Sequence, residues 1–325
     1  MSVAPLSPPR HSTRSMLATA GSLALPLAVV AVLLLGVSTS SNFLTVSNLL
    51  NVLTSMSIIG VIVVAMTFVL ITGGLADLSV PATVGMGAIL TLALQPMLGT
   101  VGAFSAGVLA AGGAGLLNGV LVGYARINAI IVTLATGTVI LGVAQWVVGG
   151  VIVYGADPTS GNLLKGRVGG VPTIVLIFAS VVILGHLLLS HTVWGRWSRA
   201  TGDSLSAATA AAVPVKLVSA GAFVLTGIAG GISGGLLALT LQNARPGIGQ
   251  GYEFSAITAV VVGGVSILGG QGSVLRAVGG LIFIQLLTNV MTLTGVRTPV
   301  QGLALGLLII AAVALDLAVR KRGGA

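Results

Sequence analysis

The residues able to do chemistry in this chain are few: five carboxylates, three histidines, three lysines and no cysteine among 325 residues. Without cysteine there is no thiolate nucleophile, no disulfide framework and no Cys-ligated metal. His11, His186 and His191 are scattered, and no pair of candidate ligands stands at metal-binding spacing. A phosphate cradle needs a glycine-rich turn followed by Lys and Ser or Thr, and Lys165, Lys216 and Lys321 fit no such turn. GGQGS (Gly269 to Ser273) has the glycines without the cation and reads as a tight turn. If ATP drives this protein, another chain hydrolyses it. Asp77 and Glu253 are the carboxylates an intramembrane protease would require as a pair, but they are expected at opposite membrane faces. The chain is therefore not read as an enzyme, and no cofactor is expected within it.

What remains is hydrogen-bonding chemistry inside apolar segments, from Asn118, Thr133, Thr136, Gln145, Ser233, Ser266, Gln285, Thr288 and Asn289. Gln285, Thr288 and Asn289 share one helical face at i, i+3 and i+4. Such groups either bond helix to helix or line a path for a solute. The candidate path is Asn118, Thr133, Thr136, Ser266, Gln285 and Asn289. An ionisable group at mid-bilayer costs about 2.5–3.5 kcal/mol on insertion scales, and here charges avoid the centres of the apolar runs. A proton or sodium relay is disfavoured, and a neutral polar solute is favoured.

These residues must be positioned by membrane helices. The chain is 55% hydrophobic and 6% charged, with 48 glycines, whereas soluble domains carry about 25% charged residues. Glycine lets helix backbones approach where lipid supplies no hydrophobic drive. The expected fold is an all-α polytopic membrane bundle of about ten spans, near 17–37, 52–72, 79–96, 101–123, 128–150, 173–190, 215–241, 254–268, 275–294 and 299–319. The third and eighth are short or re-entrant. Residues 1–16 form a polar N-terminal tail, 17–319 the permeation domain with a long loop at 191–216, and 320–325 a basic tail. A signal peptide is disfavoured because the first apolar run is too long for one. The net charge of +9 would suggest nucleic acid in a soluble protein. Here the cations sit at span ends, so the partner is the bilayer and no nucleic acid is expected. A cytoplasmic N-terminus puts Arg126, the Arg196 to Lys216 stretch and the tail Arg320, Lys321, Arg322 inside, as the positive-inside rule requires. Trp146, Trp194 and Trp197 fall near interfaces and read as anchors.

Two glycine-rich interruptions echo each other. GGLADLSVPATVG carries Gly73, Gly74 and Asp77, and RPGIGQGYEFSAIT carries Gly251 and Glu253, each between a long span and a short one. Further glycines, Gly263, Gly264, Gly269 and Gly270, follow the second. Five spans per half make a duplicated unit inverted, as in many transporters. In the long loop, Asp203 or Ser204 can cap a short alanine-rich helix, a suitable dock for a soluble partner.

Four stretches together resemble the ribose-type permeases, membrane subunits of bacterial ATP-binding-cassette sugar importers, within a family that also includes branched-chain amino-acid permeases. They are ITGGLADLSVPATVG (Ile71 to Gly85), NGVLVGYARINAIIVTLATGTVILG (Asn118 to Gly142), GRWSRATGDSLSAATAAAVPVK (Gly195 to Lys216) and GYEFSAITAVVVGGVSILGGQGSVL (Gly251 to Leu275). The resemblance runs from the second span to the end. It implies a multi-pass protein of the bacterial inner membrane with both termini cytoplasmic. It implies a second permease, in a homo- or heterodimer, ATPase subunits that hold ATP and magnesium, and an extracytoplasmic binding protein that delivers the sugar. Gly195, Arg196, Ala200, Gly202, Ala207, Ala208 and Lys216 match the family's ATPase-coupling loop. Ser204, Leu205 and Ser206 replace its Asn, Pro and Glu, Thr209 its Arg, and Ala212 a later Gly, so the dock is less charged. Ala76 looks inserted, Pro81 replaces a Gly, and Ser255 replaces a common Asp.

The rival readings are a branched-chain amino-acid permease, a secondary transporter acting alone, and a non-transporting membrane scaffold. Bulk at Gly202 or Ala207 is expected to uncouple hydrolysis from uptake without removing the protein from the membrane. Asn118→Leu is expected to impair transport more than stability.

Overall fold

The computed structural model describes residues 11–323. Tail residues 1–10 and 324–325 lie outside the described residues, as do the side chains of His11, Lys165, Arg320, Lys321 and Arg322. In chain order the helices open with α1 (His11–Thr39), α2 (Val46–Ile71), α3 (Val80–Ala93), α4 (Gln95–Gly123) and α5 (Ala129–Val148). A linking segment holds β1 (Val153–Tyr154), α6 (Asn162–Lys165), β2 (Arg167–Val168) and β3 (Val171–Pro172). Then come α7 (Thr173–His191), α8 (Val193–Asp203), α9 (Leu205–Ala210) and α10 (Val215–Leu241), followed by β4 (Asn243–Ala244), α11 (Tyr252–Val262), α12 (Val274–Leu293) and α13 (Thr298–Gly323). Six of these, α2, α4, α5, α7, α10 and α12, are long and apolar enough to cross a membrane. The described segments Ala24–Thr39 and Thr298–Ala314, with α3 and α11, are shorter apolar helices.

Local chemistry sets the boundaries. Thr45 caps α2 by accepting the Asn48 amide, and Asn128 caps α5 by accepting the amides of Ile130 and Ile131. Ser204 caps α9, accepting the Ala207 amide at 3.3 Å, so the 191–216 loop holds two short helices. The expected eighth span runs too far: α11 stops at Val262 because Gly264 takes φ +80° and the chain turns away. At the other end, the helical backbone of α1 already includes residues 11–16, which hydropathy assigned to the tail. Inside α4, Gly99 breaks the helical backbone at φ 65° and ψ 173°, separating the first turn from the rest.

The core is built on α2 and α10, the two most buried long helices. α10 packs on α3 and α4 through glycine. A Cβ on Gly87 would come 2.7 Å from the Gly231 Cα, and one on Gly227 2.8 Å from the Gly115 Cα. Backbones this close make dispersion contacts that larger residues would prevent. Ser233 donates to the Ile58 carbonyl at 2.6 Å, fixing α10 against α2. The linker after α5 is tied to the end of α10: β1 pairs antiparallel with β4, and the amides of Gln95 and Gln242 both donate to Ser160 at 3.2 Å.

Candidate functional site

The first interruption folds around Asp77. Gly73 and Leu75 take positive φ as α2 ends, and the chain re-enters the core. Asp77 Oδ1 accepts the Ser79 amide at 2.9 Å and the Ser79 hydroxyl at 2.6 Å, an Asx-type turn that starts α3. Its other oxygen accepts the hydroxyl of Thr226 on α10. Asn118 Nδ2 donates to Ser79 Oγ at 2.9 Å, and Asn118 Oδ1 accepts Thr136 Oγ1 at 2.7 Å. Thr133 Oγ1 accepts the Leu78 amide at 3.1 Å. Buried Asp77, Asn118 and Thr133 thus converge with half-buried Thr136 in one network spanning α3, α4, α5 and α10. Each polar atom that points inward has a protein partner, which is what makes a buried network stabilising.

Ser79 and Thr226, missing from the sequence reading, complete it. The D-x-S spacing could have signalled Ser79. Thr226 is 149 residues away, and no local pattern points to it.

The second interruption lies between β4 and α11. Gly247 and Gly251 take positive φ, and Tyr252 begins the helix. Although the two interruptions are expected at opposite membrane faces, they meet. A Cβ on Gly249 would lie 2.6 Å from Val84 Cβ and 3.1 Å from the Pro81 carbonyl, and one on Gly85 3.6 Å from the Gly247 amide. Glu253 is buried in the first turn of α11, and its Oε2 has no hydrogen-bond partner among the described residues. On α12, the Nε2 of buried Gln285 is likewise unpartnered. Asn289 is engaged, exchanging two bonds of 2.8 and 2.9 Å with Asn48 of α2. Ser266 accepts the Leu268 amide within a turn, Gln145 is exposed, and Thr288 is half-buried.

The 191–216 loop makes a third cluster. Gly202 is wedged between the end of α2 and the loop from α11 to α12: a Cβ there would strike the Ile71 carbonyl and the Gly270 amide, themselves bonded at 2.9 Å. A Cβ on Gly269 would sit 2.9 Å from the Gly202 Cα, and one on Gly73 3.8 Å from it. Gly195 is equally confined, against the Leu188 and Leu189 carbonyls. Ala208 is buried and Ala200 half-buried, while Arg196, Ala207 and Lys216 are exposed. Beside Gly202 lies a cavity of about 330 Å³, reached by Thr72, Gly73, Thr201, Asp203 and Phe223. A neighbouring one of about 220 Å³ is flanked by Arg126 and Lys216. Trp194 packs on Phe68 with ring centroids 5.2 Å apart, anchoring α8 to α2.

In the linker, Thr159 donates its hydroxyl and amide to Asp157 and holds that exposed carboxyl below the usual carboxylate range. His186 and His191 meet edge to face, and no group of three candidate metal ligands occurs among the described residues.

The chain is similar to known permeases along nearly its whole length. The family described as branched-chain amino acid transport system / permease component matches residues 48–313. The ribose import permease protein RbsC of Escherichia coli is 31% identical over 313 residues, covering 94% of this chain and 96% of the relative. Its Bacillus subtilis counterpart of the same name is 33% identical over 85% of this chain and 86% of its own. The L-arabinose ABC transporter permease protein AraH of Azospirillum brasilense is 34% identical over 86% of this chain and 82% of its own. No solved structure matches the chain. With four-fifths of its residues inside the family match, this polytopic helical chain belongs to the branched-chain amino acid transport system / permease component family.

Proposed function

We propose that this chain is the membrane permease subunit of an ATP-driven importer for a neutral sugar. The observation that carries this reading is the similarity to ribose and arabinose permeases over 85–94% of the chain. The scarcity of charge in the apolar helices agrees with it, since a neutral polyol needs no counter-ion in transit. ATP and magnesium belong to separate ATPase subunits that dock on α8 and α9 from the cytoplasm. Gly202 would carry their motion to the end of α2 and to the α11–α12 loop at once. An extracytoplasmic binding protein presents the sugar, and a second permease completes the passage. The ten apolar helices are read as ten full or partial spans in two inverted halves, with α3 and α11 as the interrupted pair. Both termini face the cytoplasm of a bacterial inner membrane.

The family description favours a second reading, a branched-chain amino acid as the solute. Reconstitution of the chain with its ATPase and binding protein separates the two: ATP-dependent uptake of a labelled pentose or hexose, with none of leucine, isoleucine or valine, is the expected result. Uptake of the amino acids alone overturns the sugar reading. Sugar uptake by this chain without any ATPase overturns the coupling.

A further inference from the structure

Asp77, Ser79, Asn118 and Asn289 all have partners, but Glu253 Oε2 and Gln285 Nε2 do not, although each residue is only 8% exposed. A buried polar atom without a partner is rare in a native structure and asks for a ligand or a functional reason. These two atoms belong to adjacent antiparallel helices. The register is fixed because a Cβ on Gly263 would lie 2.9 Å from the Ala277 Cα, and one on Gly280 2.7 Å from the Gly263 amide. Counting outward from that contact at about 1.5 Å per residue, Glu253 and Gln285 lie at the same level to within about 3 Å.

Their faces agree as well. A Cβ on Gly60 of α2 would lie 2.9 Å from a Leu281 methyl, and Asn289 pairs with Asn48 of α2. Gln285 is one turn from each, so it points at α2 between them. Glu253 shares its stripe with Ala256 and Val260, both fully buried, on a helix that packs on α2, α12 and α13. The interruption that brings α11 into the core reaches α3 at Gly249, so the two atoms sit beside the convergence of both interrupted helices.

The chemistry of the pair is complementary: a carboxylate oxygen accepts hydrogen bonds and a primary amide nitrogen donates them. A hydroxyl does both, so neighbouring hydroxyls of one solute satisfy both atoms. We propose that Glu253 Oε2 and Gln285 Nε2 form the contact site for a neutral polyhydroxylated solute inside the permease, Glu253 accepting from one hydroxyl and Gln285 donating to another. This rests on the sugar-permease reading and names residues that would choose among sugars after the binding protein has released them.

The test uses the complete importer in proteoliposomes, with labelled pentoses and their singly deoxygenated analogues. Glu253→Gln and Gln285→Met are each expected to lower the maximal uptake rate about tenfold or more, the size of a lost hydrogen bond in a buried site. They are also expected to shrink the preference for the parent sugar over one deoxy analogue. The thermal midpoint of Gln285→Met in detergent is expected to stay level or rise, because an unpartnered amide is replaced by a thioether of similar shape. Uptake within about twofold of wild type in both variants, or equal losses for every sugar together with a lowered midpoint, would overturn the site while an active wild type keeps the functional reading. A wild-type complex that moves no sugar would overturn both.

Discussion

Gly202→Ala adds one methyl group where the structure has no room for it. The new carbon meets the Ile71 carbonyl and the Gly270 amide, which are hydrogen-bonded to each other at 2.9 Å. Both are main-chain atoms, so neither can swing aside as a side-chain end would. Parting them leaves a buried donor and acceptor short of partners, about 1–3 kcal/mol, and crowding adds about 1–3 kcal/mol. Alanine returns about 1 kcal/mol as the better helix former within α8. The expected net loss is about 1–5 kcal/mol, read by denaturant unfolding of the purified protein in mixed micelles. A loss under about 0.5 kcal/mol, the range of an ordinary surface change, would mean that α8 does not seat on the α2 end as described. The expectation that bulk at Gly202 and at Ala207 acts alike therefore divides. Ala207 is exposed on α9, so Ala207→Leu is expected to keep stability within about 0.5 kcal/mol. Under the docking proposal it still lowers sugar moved per ATP hydrolysed, and an unchanged ratio would remove α9 from the dock.

Three further outcomes follow from named contacts. Asn118→Leu removes the donor to Ser79 and the acceptor of Thr136; it is expected to cost about 1–3 kcal/mol, with uptake per folded molecule largely kept, and an unaltered unfolding midpoint would return Asn118 to a transport role. Asn48→Leu and Asn289→Leu each break the amide pair, so each is expected to destabilise by about 1–3 kcal/mol, while the double variant loses less than the sum and keeps the loss of the Asn48 bond to the Phe43 carbonyl; additive losses in the four-protein cycle would reject the reciprocal pair. Ala212 sits at φ +57°, a left-handed conformation costing a non-glycine residue about 1–2 kcal/mol; Ala212→Gly is expected to raise the unfolding free energy by about 1 kcal/mol, and a fall would show that no strain is held there.

Legibility in the sequence followed the range of the interactions. Hydropathy locates apolar helices because burial in lipid depends on composition over some twenty residues, so α10 and α12 fall within one residue of expectation, and α2 ends one residue from its expected end but starts six residues earlier. Glycine spacing marked both interruptions, since positive φ at Gly73, Gly251 and Gly264 is a local demand that few other residues meet. Ser204 was readable as a cap for the same reason. The end of α11 was not, because Val265, Ile267 and Leu268 continue the apolar run after the helix has stopped. Nor was the meeting of Gly249 with α3, or of Gly202 with Ile71 and Gly270, since each joins segments far apart in the chain. Ala212 is the instructive middle case. Alanine there is visible in sequence, but only the backbone angle gives it a cost.

The polar residues of the apolar helices looked alike in sequence, and satisfaction of their hydrogen bonds is what separates them. Away from water an unpaired polar group costs several kcal/mol, so a bundle of this kind retains one only where something else compensates. Asp77 with Ser79, Asn118, Thr136 and Thr226, and Asn48 with Asn289, close their bonds within the protein and hold one helix against another. They fix the position of α3 and of the α2–α12 seam, and their loss should read as instability. Glu253 and Gln285 leave bonds open at the start of the second interrupted helix. Their loss should read as altered transport with the fold intact. Under the coupling and site proposals, the closed pairs are the rigid frame against which Gly202 moves the end of α2 and the α11–α12 loop, while the open pair meets the solute.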